Sequence, residues 1–180
     1  MRVISGLARG KRLLFPPEAA GVRPTVDRVK EGLFSAIQFA IPGAKVLDLF
    51  AGSGQLGIEC LSRGADFAVF IDQNRDCADC VKQNLKTCGF FDKARVSVGD
   101  GENFLKRTAD TFDIIFLDPP YGAGLLGKLL PLVADKLNPR GTVVFEQPAE
   151  EDFIEEVQGL EFKKRYKYGK IFITIFEKGE

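Results

Sequence analysis

The chain has 180 residues, of which 45% are hydrophobic and 28% charged, enough for one globular domain with a buried core. No stretch approaches the roughly 20 apolar residues of a membrane span, and the start lacks the apolar region of a secretory signal, so we expect a cytoplasmic protein. The sequence contains no histidine, which excludes a histidine general base and argues against any zinc site.

Charge is distributed unevenly although the net charge is zero. Residues 1–45 hold eight Lys or Arg and three Asp or Glu, residues 46–160 hold eleven and nineteen, and residues 161–180 hold six and three. The ends of the chain are therefore basic and the middle is acidic. This pattern predicts a basic surface that attracts phosphate, although a solvated surface with uneven charge is the plainer alternative.

The first 42 residues are predicted to form an extension of the main domain, which would occupy residues 43–180. Val3–Phe15 predicts a short hairpin, and Thr25 is a candidate N-cap for a helix over residues 26–40. An apolar stripe at helical spacing would bury one face of this helix. The stripe consists of Val26, Val29, Leu33 and Ile37.

Beyond residue 43, apolar runs alternate with helical patterns, which is typical of a parallel sheet with helices on both faces. The predicted strands are 45–50, 67–72, 94–98, 112–118 and 142–147. The predicted helices are 55–64, 75–88, 102–108, 123–137 and 151–157. Two β-rich runs, Leu160–Tyr166 and Ile171–Glu177, close the chain and predict a hairpin.

The first strand of the main domain leads into a glycine-rich loop. Gly52, Gly54 and Gly57 have the spacing of a dinucleotide-binding loop, and Asp72 ends the next strand, where an acidic residue binds ribose hydroxyls. Asp48 argues against a dinucleotide, because a carboxylate there would repel a pyrophosphate by several kcal/mol at an effective dielectric of about 20. S-adenosylmethionine carries a sulfonium and an ammonium group instead, and we therefore predict it as the cofactor.

The four cysteines fit a reducing compartment and are interpreted as core residues. They are Cys60, Cys77, Cys80 and Cys88. Cys77 and Cys80 form an isolated C-x-x-C inside a helical pattern, where neighbouring aspartates would raise a thiol pKa and disfavour redox chemistry.

The strand predicted at 112–118 ends at Asp118, and Pro119, Pro120 and Tyr121 follow it directly. Two prolines remove two N–H donors and leave the adjacent carbonyls free to accept hydrogen bonds. Acceptors beside an aromatic ring suit a planar base with an exocyclic amino group, whose N–H groups Asp118 and the Pro119 carbonyl would accept while Tyr121 stacks on the ring. The plainer alternative is a turn with a buried tyrosine.

Several motifs together resemble a known family. Asp48–Gly54 resembles the cofactor loop of class I methyltransferases, and Asp118–Tyr121 resembles their amino-methylating signature. Ile4–Gly6, Arg9–Leu13 and Arg23–Phe34 are similar to the amino-terminal motifs of the RsmD family, bacterial methyltransferases of guanine N2 in 16S ribosomal RNA.

The resemblance implies a fold, a reaction and a site. The fold would be the Rossmann-like class I fold, a mostly parallel seven-stranded sheet with helices on both faces, a C-terminal antiparallel strand pair and a small N-terminal hairpin-helix extension. Asp100 would accept from the adenine amine of the cofactor, and the Gly101 backbone would face the adenine ring. The candidate cofactor residues are Asp48, Phe50, Ala51, Gly52, Ser53, Gly54, Asp72, Gln73, Asp100, Gly101 and Asp118.

The expected partner is 16S ribosomal RNA or an assembling small subunit, bound by a monomer. The extension would dock this RNA through basic residues, which are Arg2, Arg9, Lys11, Arg12, Arg23, Arg28 and Lys30. An adenine-N6 methyltransferase of DNA or RNA would share the same cofactor and tetrapeptide, although DNA enzymes usually carry a larger recognition region. A non-catalytic RNA-binding module and an NAD-dependent oxidoreductase are the alternatives from other classes.

Overall fold

The computed structural model describes residues 1–17, 27–119, 124–150, 154 and 156–180. Within these residues seven strands form one sheet in the order β3-β2-β1-β4-β5-β7-β6. The parallel strands are β1 (Lys45–Leu49), β2 (Phe67–Asp72), β3 (Ala94–Val98), β4 (Phe112–Leu117) and β5 (Leu137–Pro148). Strands β6 (Leu160–Tyr168) and β7 (Ile171–Lys178) form an antiparallel pair, and β7 also pairs antiparallel with β5.

Helices cover both faces of the sheet, because side chains of a strand alternate between its faces and both sets are apolar here. The described helices are α1 (Asp27–Ala36), α2 (Gln55–Ser62), α3 (Arg75–Cys88), α4 (Gly101–Arg107) and α5 (Leu125–Lys136). Helices α1, α2 and α3 pack on the face that includes Phe70 and Phe116. Helices α4 and α5 pack on the opposite face, with Leu49 and Leu117. None of the described helices is long and apolar enough to cross a membrane.

The predicted fold class is confirmed, and most predicted elements begin and end within two residues of the observed ones. Strand β5 is the main difference, because it begins at Leu137 and not near residue 142. The residues before 142 include Pro139 and Gly141, which are typical of a turn, but here they continue the strand across an irregularity in its register with β4. Of the helix predicted at 151–157, residues 151–153 and 155 lie outside the described residues, and Ile154 and Glu156 are not helical.

The predicted amino-terminal hairpin is present in a minimal form, with one antiparallel bridge between Arg2 and Arg12. The Val3 amide donates to the Lys11 carbonyl at 2.9 Å. The helix predicted at 26–40 is observed as α1 followed by a short 3-10 turn at Gln38–Ala40, while Thr25 and Val26 lie outside the described residues.

The hairpin and α1 share one hydrophobic core with the rest of the chain. Val3, Ala8 and Leu13 are buried in the same cluster as Ile58 and Phe70. The proposed boundary at residue 42 therefore falls within a continuous apolar cluster.

A buried carboxylate on α2 fixes this arrangement. Glu59 accepts from the amides of Ile4 and Ser5 at 2.8 and 3.0 Å, and it pairs with Lys30 at 3.3 Å and with Arg63 at 2.9 Å. Because neither Glu59 nor Lys30 is exposed to solvent, the pair depends on these hydrogen bonds to remain charged in the interior.

Candidate active site

The carboxyl ends of four parallel strands lie side by side. Leu49 of β1 is paired with Ile71 of β2 and Leu117 of β4, and Leu117 is paired with Phe145 of β5. The next residues along these strands therefore meet at one edge of the sheet, where ligands bind in open α/β folds. They are Phe50, Asp72, Asp118 and Glu146.

The glycine loop after β1 is held in a tight conformation by backbone hydrogen bonds. The amides of Phe50 and Ala51 both donate to the Ile71 carbonyl, at 2.9 and 3.0 Å, and the Gly54 amide donates to the Ala51 carbonyl at 2.7 Å. Phe50 has a φ of 71°, which is unfavourable for a residue with a side chain. Such strain is concentrated at functional sites, where the surrounding structure holds it in place.

Asp48 lies beneath this loop and not at its open mouth. Its carboxylate is 3% exposed, and Oδ2 accepts from the Gly57 amide at 3.0 Å in the first turn of α2. A Cβ atom on Gly57 would lie 2.4 Å from the Phe70 ring, so packing alone already requires this glycine. The pKa of Asp48 is raised from 3.8 to about 7, because burial raises it more than the Gly57 hydrogen bond lowers it, and the charge of Asp72 adds a smaller increase.

Asp72 joins the glycine loop to the start of α3. Its Oδ2 accepts from the Gly52 amide and its Oδ1 from the Asn74 amide, both at 2.8 Å. The side chain is partly exposed, and each carboxylate oxygen has a second lone pair that can accept from a ribose hydroxyl. Gln73 is exposed directly beside it.

The Gly99–Gly101 turn lies next to the glycine loop, as the order of the motifs suggested. A Cβ atom on Gly101 would lie 3.1 Å from Leu49 Cγ and 3.2 Å from Phe50 Cζ. Asp100 is exposed, and its Oδ1 accepts from the Asn103 amide at 2.9 Å, so this carboxylate caps α4. Its contact with adenine remains a prediction.

Asp118 lies at the end of β4 among other carboxylates. Its pKa is raised from 3.8 to about 8, mainly by the loss of water contacts and then by the charges of Glu146 and Asp48. Pro119 is buried beside it, while Pro120 and Tyr121 lie outside the described residues.

Glu146 is the member of this group that sequence reasoning missed. The available signal was a carboxylate directly after the buried run Val143–Phe145, which repeats the pattern that identified Asp118. Glu146 and Asp48 both repel the charged form of Asp118, and a positively charged ligand at this edge would relieve the repulsion. The donor set therefore fits a sulfonium and an ammonium group, and it does not fit a pyrophosphate.

The chain is similar over most of its length to known proteins of one family. The family described as Conserved hypothetical protein 95 matches residues 1–177. The chain is 40% identical to Ribosomal RNA small subunit methyltransferase D of Escherichia coli over 135 residues, covering 75% of this chain and 67% of that protein. It is 36% identical to the protein of the same name from Haemophilus influenzae over 160 residues, covering 86% and 82%. The chain belongs to the RsmD family.

The solved structure of yhhF from Escherichia coli has the same fold, with a TM-score of 0.89 and 32% identity over 99% of this chain and 98% of that one. This RsmD-family chain thus has the class I methyltransferase fold, with its glycine loop and Asp118 at the carboxyl edge of the sheet.

A contact between the extension and the glycine loop was also missed from the sequence. Asn84 of α3 is fully buried, and its Nδ2 donates to the carbonyls of Leu14 and Ser53 at 3.0 and 2.9 Å. Its Oδ1 accepts from the Leu14 amide at 2.7 Å. The signal was a single amide on the buried stripe that also includes Val81 and Leu85. In this member of the RsmD family, hydrogen bonds through Asn84 therefore link the extension to the glycine loop.

The basic residues of the extension are not all at the surface. Arg2, Arg9, Lys11 and Arg12 are exposed, which leaves them accessible to phosphate. The prediction that Lys30 faces phosphate is wrong, because its side chain is 0% exposed and its ammonium binds Glu59 and the Arg2 carbonyl. Arg23 and the side chain of Arg28 lie outside the part of the chain that the structure describes.

Proposed function

We propose that the protein transfers a methyl group from S-adenosylmethionine to the N2 amine of a guanine in 16S ribosomal RNA. The observation that carries this proposal is the position of Asp118 beside a strained glycine loop, at an edge where Asp48 and Glu146 add negative charge. Two relatives of high coverage are named as small-subunit ribosomal RNA methyltransferases, which supports RNA as the substrate. Such a substrate would lie in the cytoplasm, and we propose that the enzyme acts on it as a monomer.

Different described residues would contact different parts of the cofactor. When bound, S-adenosylmethionine supplies an electrophilic methyl group. Asp48, Asp118 and Glu146 would offset its positive charge, and Asp72 would accept from its ribose hydroxyls. Asp100 and the backbone of Gly101 would contact the adenine ring. The Asp72 hydrogen bond to the Gly52 amide keeps the loop closed against β2, so the same carboxylate would hold both the loop and the ribose.

Asp118 and the Pro119 carbonyl would prepare the amine for reaction. An exocyclic amine is a poor nucleophile because its lone pair is delocalised into the ring. Two acceptors on its N–H groups favour a pyramidal nitrogen whose lone pair is available, and fixed positioning of this kind can lower a barrier by several kcal/mol. Attack by the nitrogen would form the N–CH₃ bond and break the S–CH₃ bond of the cofactor, with S-adenosylhomocysteine as the leaving group, and the nitrogen would then have to lose a proton. Asp118 can take this proton, because its raised pKa makes it a stronger base than an ordinary aspartate.

Tyr121 lies outside the described residues. In the proposed reaction it stacks on the base. Its ring would fix the plane of the guanine, which determines where the amine points. Stacking on one base contributes roughly 1–3 kcal/mol.

The experiment is methyl transfer from tritiated S-adenosylmethionine to small ribosomal subunits and to free 16S RNA from a methylation-deficient strain, followed by mapping of the modified nucleoside. N2-methylguanosine is the expected product. Detection of N6-methyladenosine instead would show that the target base is adenine and not guanine. Absence of transfer together with tight NAD binding in calorimetry would favour an oxidoreductase.

Asp118→Asn tests the role of the carboxylate. We expect kcat to fall by at least about 100-fold, since the variant has lost its base and one charged acceptor. Calorimetry should still detect cofactor binding, because the other carboxylates and the glycine loop remain. Asp135→Asn, which changes an exposed carboxylate of α5, is the matched control. Turnover near that of the wild type in Asp118→Asn would show that another group accepts the amine.

A further inference from the structure

Strand β6 is an edge strand of the sheet and carries both basic and aromatic side chains. Lys164, Tyr166, Lys167 and Tyr168 follow closely along the strand, and Lys170 lies in the turn to β7. None of these three lysines forms an ion pair with a carboxylate of the described residues, whereas neighbouring Lys163 pairs with Glu161 and Glu177. Their positive charge therefore remains available to a ligand.

Tyr166 of β6 lies in the same row of the sheet as the candidate active site. Leu117 is paired with Phe145, which places Asp118 level with Glu146. Glu146 is paired with Ile173, and Ile173 is paired with Tyr166. Because paired residues of neighbouring strands point to the same face, Tyr166 lies on the face of Glu146, about 14 Å from β4 at about 4.8 Å per strand.

The turn that holds Lys170 also lies at the carboxyl edge. Pro148 of β5 is paired with Ile171, and the Ala149 amide donates to the Lys170 carbonyl at 2.8 Å. Strand β6 therefore runs in the same direction as β5 and ends at the edge of the sheet that holds Asp118.

A groove of about 380 Å³ lies beside this strand. Lys164 and Tyr166 line one side of it, and Phe39, in the 3-10 turn after α1, lines the other. Phe39 is 92% exposed. A large apolar side chain that remains in water contributes none of the stabilisation that its burial would give. Tyr166 stacks on Tyr168, with 6.3 Å between ring centroids, and the Tyr168 hydroxyl abuts Gly32, which fixes the groove between α1 and the hairpin of β6 and β7.

We propose that strand β6 and this groove bind a single-stranded segment of the RNA substrate next to the target nucleotide. Lys164 and Lys170 contact its phosphates beside the groove, Lys167 contacts them from the opposite face of this edge strand, and an unpaired base stacks on Phe39. Unpaired bases on exposed aromatic rings, flanked by lysines, are the usual mode of binding for single strands. The inference rests on the proposed function, because it takes RNA as the substrate.

Lysines on an edge strand also prevent pairing with other chains, and that role would explain their charge. It does not require an open groove or an exposed phenylalanine on the adjacent turn. It also does not require Tyr166 to be level with Asp118 and Glu146. These features favour a ligand over simple protection of the edge.

The test uses the full chain with S-adenosylhomocysteine and a labelled single-stranded oligoribonucleotide, with affinity measured by fluorescence anisotropy over a series of salt concentrations. In the triple variant Lys164→Gln, Lys167→Gln and Lys170→Gln, the slope of log affinity against log salt should become shallower by about 2. Each phosphate contact on a single strand contributes about 0.7 to that slope. Phe39→Ala should lower affinity by about 5- to 150-fold, whereas Phe39→Tyr should retain it.

The control variant removes three exposed lysines elsewhere, Lys86, Lys93 and Lys128, also by change to Gln. It should keep the wild-type slope. If the triple variant of β6 binds with the affinity and slope of the control, the inference is overturned and these lysines only protect the edge. Methyl transfer to ribosomal subunits by the wild type is measured in parallel. If transfer fails while the binding difference remains, the surface stands and the proposed reaction is wrong.

Discussion

At the scale of single residues, the site is dominated by carboxylates that the fold holds close together. Asp48 and Asp118 both have raised pKa values, because burial removes water from the charged form and neighbouring carboxylates disfavour it further, Asp72 for Asp48 and Glu146 with Asp48 for Asp118. A protein that binds no cation at this edge would gain stability by replacing them. Their retention is understandable if a positively charged cofactor occupies the edge during turnover.

Asp48→Asn should change how stability depends on pH. The folded-state pKa of Asp48 is about 7 and the unfolded value is 3.8, so the folded protein binds the extra proton between these values. The contribution of Asp48 to the stability of the wild type therefore falls as pH rises from about 4 to about 7, by at most about 4 kcal/mol at about 1.4 kcal/mol per pKa unit. The asparagine variant lacks this loss and should gain relative stability over the same range. Urea unfolding without cofactor at several pH values measures it, with Asp66→Asn as an exposed control.

A difference in stability between Asp48→Asn and the wild type that stays constant from pH 4 to pH 8 would contradict this prediction. It would mean that the carboxylate is already ionised in the folded protein across the range.

Residues at strand ends could be predicted from the sequence, whereas residues whose role depends on distant partners could not. Asp72 and Asp118 each follow a buried apolar run, and that pattern is local. Lys30 was interpreted as a surface residue because lysine is seldom fully buried. Its burial depends on Glu59, 29 positions along the chain, and on the carbonyl of Arg2. No local pattern contains that information.

At the scale of elements, the parallel strands were predictable because strands buried on both faces form short continuous apolar runs. Strand β5 shows the limit, since Pro139 and Gly141 have the local character of a turn but lie in a strand that pairing with β4 extends. The hairpin was predictable as a shape. Its role was not, because its amides bind Glu59 and Asn84, which lie more than 50 residues away.

Glu59→Gln should test how strongly the buried pair joins the hairpin, α1 and α2. The variant leaves the ammonium of Lys30 buried without its carboxylate, a change that typically destabilises a protein by about 3–5 kcal/mol. The double variant Lys30→Met with Glu59→Gln removes the orphaned charge and should be more stable than Glu59→Gln alone. Chemical denaturation of the two single variants and the double variant gives the coupling energy. Simple additivity of the two losses would argue against the pair.

At the scale of the whole molecule, the acidic edge lies between two basic surfaces. The hairpin, with Arg9, Lys11 and Arg12 exposed, packs against α2 and α3 beside strands β1 to β3. Strand β6 lies at the other end of the sheet. Zero net charge therefore does not describe the field that a long RNA would meet, since phosphate can be attracted on both sides of a site that itself attracts a cation.

The hairpin surface should contribute its own share of RNA binding. The triple variant Arg9→Gln, Lys11→Gln and Arg12→Gln leaves the backbone contacts to Glu59 and Ser62 intact, so it should fold, and circular dichroism and cofactor titration check that it does. We expect the salt dependence of binding to 16S RNA to weaken by about 2 in slope, since about 0.7–0.9 is lost per phosphate. Combined with the β6 variant, the two decreases should add, because the surfaces would contact different phosphates. A folded hairpin variant with the wild-type slope would show that the hairpin only covers α2 and α3.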